Sequence, residues 1–146
     1  WIKNERNMSM FRYLAEQIKQ MKLLFSALLF LSVLSANAQK HAAFDALAKS
    51  DIASLSALFD TRLELCYDEK MTILKKQDAA QSLSSFLQNN PPKTVTPVHS
   101  GVSKNNSSQY FIAVMTTTNA KKYRVYIYTE DIGGSKLIKE FRVMSE

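Results

Sequence analysis

Three hydrophobic spacings follow one another along the chain. Residues 23–34 form an apolar run relieved only by serine and alanine. Apolar positions then recur at helical intervals: Phe44, Leu47 and Ala48 within 42–49, then Leu55, Leu58 and Phe59 within 52–59. These predict two helices or one bent helix, with Ser50 and Asp51 offering N-cap chemistry between them. Residues 61–67 alternate, Leu63 and Leu65 against Arg62 and Glu64, as a half-buried strand does. Asp68, Glu69 and Lys70 turn the chain, and 71–74 is a short apolar segment. A helix over 76–88 follows, with Ala79, Leu83, Phe86 and Leu87 as its core stripe, and Asn89, Asn90, Pro91 and Pro92 end it.

Beyond that stop the period is two. Extended segments are predicted at 94–103, 109–118, 123–130 and 137–144, separated by Asn105-Asn106-Ser107, Asn119-Ala120-Lys121 and Gly133-Gly134. Connectors this short make an antiparallel meander. Within 123–128 a Tyr123, Val125, Ile127 face alternates with an Arg124, Tyr126, Tyr128 face, so one side can pack on helices and the other stays wet or lines a pocket. Helices first and strands afterwards is the block order of an α+β domain, with N-terminal helices packed on a curved antiparallel sheet.

The first apolar run has a different purpose. Lys22 precedes it and Ala36-Asn37-Ala38 supplies small residues where a signal peptidase reads, so 21–38 is expected to be a signal peptide cleaved after Ala38. The run is short for a membrane span, which needs about 20 apolar residues. Gln39 rather than cysteine follows, which disfavours a lipoprotein; an uncleaved anchor is the alternative. Met21 then reads as the start, and 1–20 as an upstream or mis-started segment. The competing reading starts at Met8 or Met10 and makes 10–20 an amphipathic helix with Phe11, Leu14 and Ile18 on one face. Either way, 39–146 is expected to be a single α+β domain, exported to the periplasm or beyond, with no stable membrane span after cleavage.

Export changes the charge balance. The whole chain carries +6, but 39–146 holds 14 basic and 11 acidic residues, a net +3 scattered among acids. Lys75-Lys76 and Lys121-Lys122 suit a helix start and a hairpin turn better than a phosphate-tracking groove, so nucleic acid is not an expected partner. Cys66 is the one cysteine, so packing and not an internal disulfide holds the fold; its apolar-rich surroundings predict a small buried side chain, the alternative being a disulfide link between two copies.

Several phrases are shared with a known family: Leu58-Phe59-Asp60 followed by Leu63-Glu64-Leu65, then Lys76-Gln77 opening a helix that ends Phe86-Leu87-Gln88-Asn89-Asn90-Pro91-Pro92. Val98-His99-Ser100-Gly101 and Tyr123-Arg124-Val125-Tyr126-Ile127 complete the set. Together they resemble the exported domain-of-unknown-function family numbered 4783 of Bacteroidota, similar in fold to the nuclear transport factor 2-like, or cystatin-like, cone. The resemblance covers nearly all of 39–146 and implies a curved sheet around helices, a concave face able to hold small molecules or partners, and dimerisation through the sheet. It implies no catalytic residues, and a fold alone transfers no function.

Candidate chemistry is sparse. His99 is the one histidine expected within the folded core, since His41 sits near the new terminus, and a strand could aim it into the cone as a general base. Paired with Asp60 or Glu64 it would serve a small cone-fold enzyme, but no second histidine or matched cysteine accompanies it. Asp60 equally suits a helix end and Glu64 a solvent-facing strand position, and with Asp68 their spacing defines no site. One cysteine and two distant histidines fall short of a zinc site, and Gly133-Gly134 lies between strands and cradles no phosphate, so no metal or cofactor is expected. Arg124, Tyr126, Tyr128 and Arg142 share a face if the last two strands pair; with His99 they form a candidate surface for an anionic or sugar-like ligand or a partner, the ordinary alternative being cross-strand packing with solvated ends. The leading expectation is a non-catalytic binding or interaction domain that takes a small molecule, an envelope protein or its own copy as a homodimer. A cone-fold enzyme and a ligand-free envelope structural module are the alternatives.

Overall fold

The structure, a computed structural model, describes Gln17 and residues 41–146 of a chain that divides into two units, Trp1–Asn37 and Ala38–Glu146. The signal-peptide layout at 21–38 lies outside the described residues, as does the segment 1–20 apart from Gln17. Helix α1 (Ala42–Ala48) starts where His41 Nδ1 accepts a hydrogen bond from the Ala43 N–H at 3.2 Å, an N-cap role that places the ring proton on Nε2. Ser50, at φ 53°, breaks α1 from α2 (Ile52–Ala57). Asp51 caps α2 by accepting from Ser54 N at 3.0 Å and Ser54 Oγ at 2.6 Å. The two-helix alternative is therefore the one adopted. Phe59, placed by periodicity on the second helix, instead opens strand β1 (Phe59–Tyr67), where it pairs with Ile138 and meets the Phe141 ring edge-on at 6.3 Å.

Strand β2 (Lys70–Lys75), helix α3 (Lys76–Asn89) and strands β3 (Pro92–Val102), β4 (Ser108–Thr117), β5 (Lys122–Ile132) and β6 (Ser135–Ser145) follow. The short apolar segment 71–74 is thus a strand. The described strands form one sheet in the order β2-β1-β6-β5-β4-β3. The predicted meander is present as β3 to β6, closed by turns that include Gly133 and Gly134 at φ 62° and 85°, where Asp131 Oδ1 accepts from Gly134 N at 2.9 Å. The one parallel junction joins β1 to β6, two strands separated in sequence by the rest of the sheet.

That junction is held at both ends. Between Phe59 and Glu64 the ladder breaks, and Lys139, the extra residue of a bulge in β6, bonds the Asp60 carboxylate at 2.7 Å. At the other end Asp68 N donates to Val143 O at 2.8 Å while its carboxylate accepts from Ser145 N at 2.7 Å. The Lys139 ammonium and the Thr61 N–H hold Asp60 below the usual carboxylate range, and Asp60 in turn raises Lys139.

Helices cover one face of the sheet. Phe44, Leu47, Leu55, Leu83 and Leu87 pack there against Leu63, Leu65, Met115, Val125, Ile127 and Phe141, all buried. The alternation in β5 holds: Tyr123, Val125 and Ile127 point inward. The end of α3 is fixed by a buried pair, with Tyr123 Oη donating to Asn90 Oδ1 at 2.9 Å and Asn90 Nδ2 donating to Phe86 O at 3.1 Å. Phe86, half-buried and not fully in the stripe, stacks on Tyr67 at 5.1 Å and stands edge-on to Tyr123 at 5.2 Å. Cys66 is buried as expected, its Sγ donating to Asp68 O at 3.0 Å.

Two consequences can be measured. Tyr123→Phe leaves the Asn90 Oδ1 acceptor buried without its donor, so the urea unfolding free energy should fall by about 1–3 kcal/mol. The His41 ring lies against Phe111, centroids 4.7 Å apart and planes tilted by 45°, and burial lowers its pKa from the ordinary 6.5. The fold holds the neutral ring, so its contribution is complete above pH 6.5 and shrinks as pH falls below that value. His41→Asn keeps a capping acceptor that does not titrate; unfolding at pH 7.5 and pH 5 should show a smaller acid loss for it than for wild type.

Candidate functional site

The sheet face turned away from the helices carries a row of side chains that crosses four strands. Tyr126 on β5 stands opposite Ile112 on β4 and Arg142 on β6. The Arg142 guanidinium lies 5.8 Å from the centre of the Tyr126 ring and pairs with the Glu140 carboxylate. On its other side Tyr126 is stacked with Tyr110, centroids 6.1 Å apart and planes 18° off parallel. Tyr110 Oη meets His99 Nε2 at 2.8 Å. Burial first and the Glu140 carboxylate second push Tyr126 above the ordinary phenol value; the Glu140 hydrogen bond raises Arg142.

Two backbone features on β3 build the far end of this row. Pro97 opposes Ala113 and His99 opposes Ile112, so Val98 is an extra residue in a bulge. Without it His99 would face the core opposite Phe111; the bulge turns it to the open face, where it is exposed. His99 therefore does not enter the cone, as the general-base alternative required, and joins the face that carries Tyr126 and Arg142. Gly101, opposite Tyr110, has no side chain because a Cβ there would lie 2.3 Å from the Tyr110 ring.

Of the residues expected to share the face, Tyr126, Arg142 and His99 belong to this row. Tyr128 stands beside it, opposite Glu140 and Tyr110, and donates to Glu130 at 3.2 Å. Arg124 lies on the same face but turns to the sheet margin, where Nε and Nη2 bond Glu146 Oε1 at 3.0 and 2.8 Å. Tyr110 and Glu140, central to the row, were missed. The alternation of Phe111, Ala113 and Met115 already set Tyr110 on the outward side; its partner Tyr126 required the β4–β5 register.

Where β1 diverges from β6, a cleft of about 500 Å³ opens, lined by Arg62, Leu63, Glu64, Ile73, Tyr128, Glu130, Lys139 and Glu140. Asp60, behind it, is engaged by Lys139, and Glu64 lies on β1, four strands from β3. At ~4.8 Å per strand His99 and Glu64 stand about 19 Å apart across the sheet. The acid–base pair of His99 with Asp60 or Glu64 is not assembled. Among the described residues no three His, Cys, Asp or Glu side chains converge as a metal ion requires, and no helix is long and apolar enough to cross a membrane.

The fold has relatives. A protein from Bacteroides ovatus ATCC 8483, of the same domain family of unknown function, superposes with a TM-score of 0.68 at 20% identity, covering 73% of this chain and 94% of its own. A cystatin-like protein of unknown function from Nostoc punctiforme PCC 73102 gives 0.58 at 14% identity, covering 71% and 83%. A nuclear transport factor 2-like protein of unknown function from Shewanella oneidensis MR-1 gives 0.52 at 12%, covering 70% and 89%. These likenesses establish the cystatin-like, nuclear transport factor 2-like fold. No curated protein matches the sequence. The model of the domain of unknown function DUF4783 matches residues 41–144, well over half of the chain, and the chain belongs to that family.

Proposed function

We propose that this is an exported, non-catalytic interaction domain whose open sheet face is its contact surface, with a second copy of the chain as the partner. The observation that carries the reading is the asymmetry of the sheet: one face is filled by helices, while the other presents Tyr110, Ile112, Val114, Tyr126 and Met144 half-buried. Five strand intervals and strands of about ten residues give that face roughly 24 Å by 33 Å, or about 800 Å². That is about what each partner contributes to a standard stable interface. Arg142 and Glu140 lie on the face together, so a two-fold contact can oppose each charge to its complement on the other copy. Export rests on the Lys22, 23–34 and Ala36-Asn37-Ala38 layout.

Light scattering of the purified protein at tens of micromolar should give a dimer with and without reductant, which separates face contact from a Cys66 link. Ile112→Glu combined with Tyr126→Glu should give a folded monomer; a monomeric wild type sinks the reading. For export, the intact mass of protein recovered from the periplasm or medium should begin at Gln39. A mass that retains 21–38 contradicts cleavage.

A further inference from the structure

The cleft beside β1 exists because two strands of the sheet part there. Phe59 pairs with Ile138 and Glu64 with Glu140, so the stretch of β1 from 59 to 64 spans only 138 to 140 on β6, and the ladder between them is open. The gap holds about 500 Å³, the size of a small-molecule site and far more than a bridging water fills. It lies at the β1 end of the open face, with β6 and β5 between it and the β4 residues Tyr110, Ile112 and Val114.

Most charges around the cleft already have partners. Lys139 Nζ bonds Asp60 Oδ2 at 2.7 Å, Arg142 pairs with Glu140, and Glu130 accepts from Tyr128 Oη at 3.2 Å. Arg62 and Glu64 do not: among the described residues neither has a hydrogen bond or an ion pair. Arg62 is exposed, so water screens its charge. Glu64 is half-buried, on the side of β1 away from the buried Leu63 and Leu65. Its neighbours across the two ladders are Ile73 on β2 and another carboxylate, Glu140, on β6. Like charges directly opposite one another destabilise a sheet.

A cation in the cleft would relieve that opposition. A metal ion needs three or more side chains to converge, and none do among the described residues. An ammonium group needs only one or two acceptors, its carbon stem can lie along Ile73, and the ring of Tyr128, held through its hydroxyl by Glu130, offers a cation its face. We propose that the cleft binds a small organic cation, a primary ammonium on an aliphatic stem, with Glu64 as its counter-ion and Tyr128 and Ile73 as its walls. The inference does not rest on the dimer.

The test titrates the ¹⁵N-labelled chain with pentylamine, and in parallel with pentanol and pentanoate, which keep the stem and remove or reverse the charge. Pentylamine should give saturable amide shifts centred on residues 62–64, 128–130 and 139–140; pentanol should bind roughly tenfold more weakly and pentanoate not at all. Glu64→Gln should keep the folded spectrum, weaken pentylamine about tenfold and, with the Glu64–Glu140 opposition removed, melt no lower than wild type. Arg62→Gln should bind pentylamine equally or more tightly. Equal binding of pentylamine and pentanol, shifts centred elsewhere, the same shifts from calcium chloride at equal ionic strength, or no saturable shift overturns the proposal. So does unchanged affinity or a lower melting temperature in Glu64→Gln, or weaker binding in Arg62→Gln. Light scattering of the same samples reads the oligomer separately: a monomer that takes the amine ends only the dimer reading, and a dimer that takes none ends only this one.

Discussion

The parallel contact between β1 and β6 is the constraint on which the rest depends. The meander β3 to β6 is contiguous in sequence, whereas β1, β2 and α3 belong to the first half of the domain. Only the β1–β6 ladder joins the two halves into one sheet, and it closes a long stretch of chain before any reward is gained. Each end carries an aspartate: Asp60 meets Lys139, and Asp68 meets Ser145. Phe59 just before Asp60, and Leu63 and Leu65 between the two aspartates, are buried and supply the apolar burial that makes the closure favourable. The cleft beside Glu64 and Lys139 is a by-product of the same junction, since it opens where the two strands part.

With the helices committed to one face, the other is free to carry recognition. Its central row is ordered by contacts within the sheet: Arg142 over Tyr126, Tyr126 against Tyr110, Tyr110 to His99, with Gly101 clearing room for a ring. Side chains already fixed in this way lose less rotamer entropy when a partner covers them. The row contains an imidazole, but its neighbour is a phenol and the carboxylates at the far end serve cations. Such an arrangement offers stacking and charge complementarity, not a general base with its orienting acid.

Local patterns were legible wherever one residue's surroundings lay within a few positions of it. The helical stripe of α3, the N-cap at Asp51, the glycine turn before β6 and the alternation of β5 all follow from nearest-neighbour geometry. Misreadings fall where distant chain intervened. Phe59 left a helical periodicity for a strand because Ile138 and Phe141 were there to receive it. β2 looked like a mere apolar segment because only Leu74 of this edge strand reaches the core, and one half-buried side chain makes no alternation of burial. The general-base alternative aimed His99 into the cone, but a one-residue bulge inverts every side chain beyond it, and nothing in Pro97-Val98-His99 announces which residue will be extra.

The sequence by itself determined the α+β order, the meander and the family, because spacing, turn residues and shared phrases are properties of contiguous chain. It also placed Tyr126 and Arg142 on one face once a hairpin was assumed. Tertiary structure alone decided the partner of β1, the face of His99 and the separation of His99 from Asp60 and Glu64. Each of these depends on strand register across the sheet, which is set by the joint packing of residues far apart in the chain.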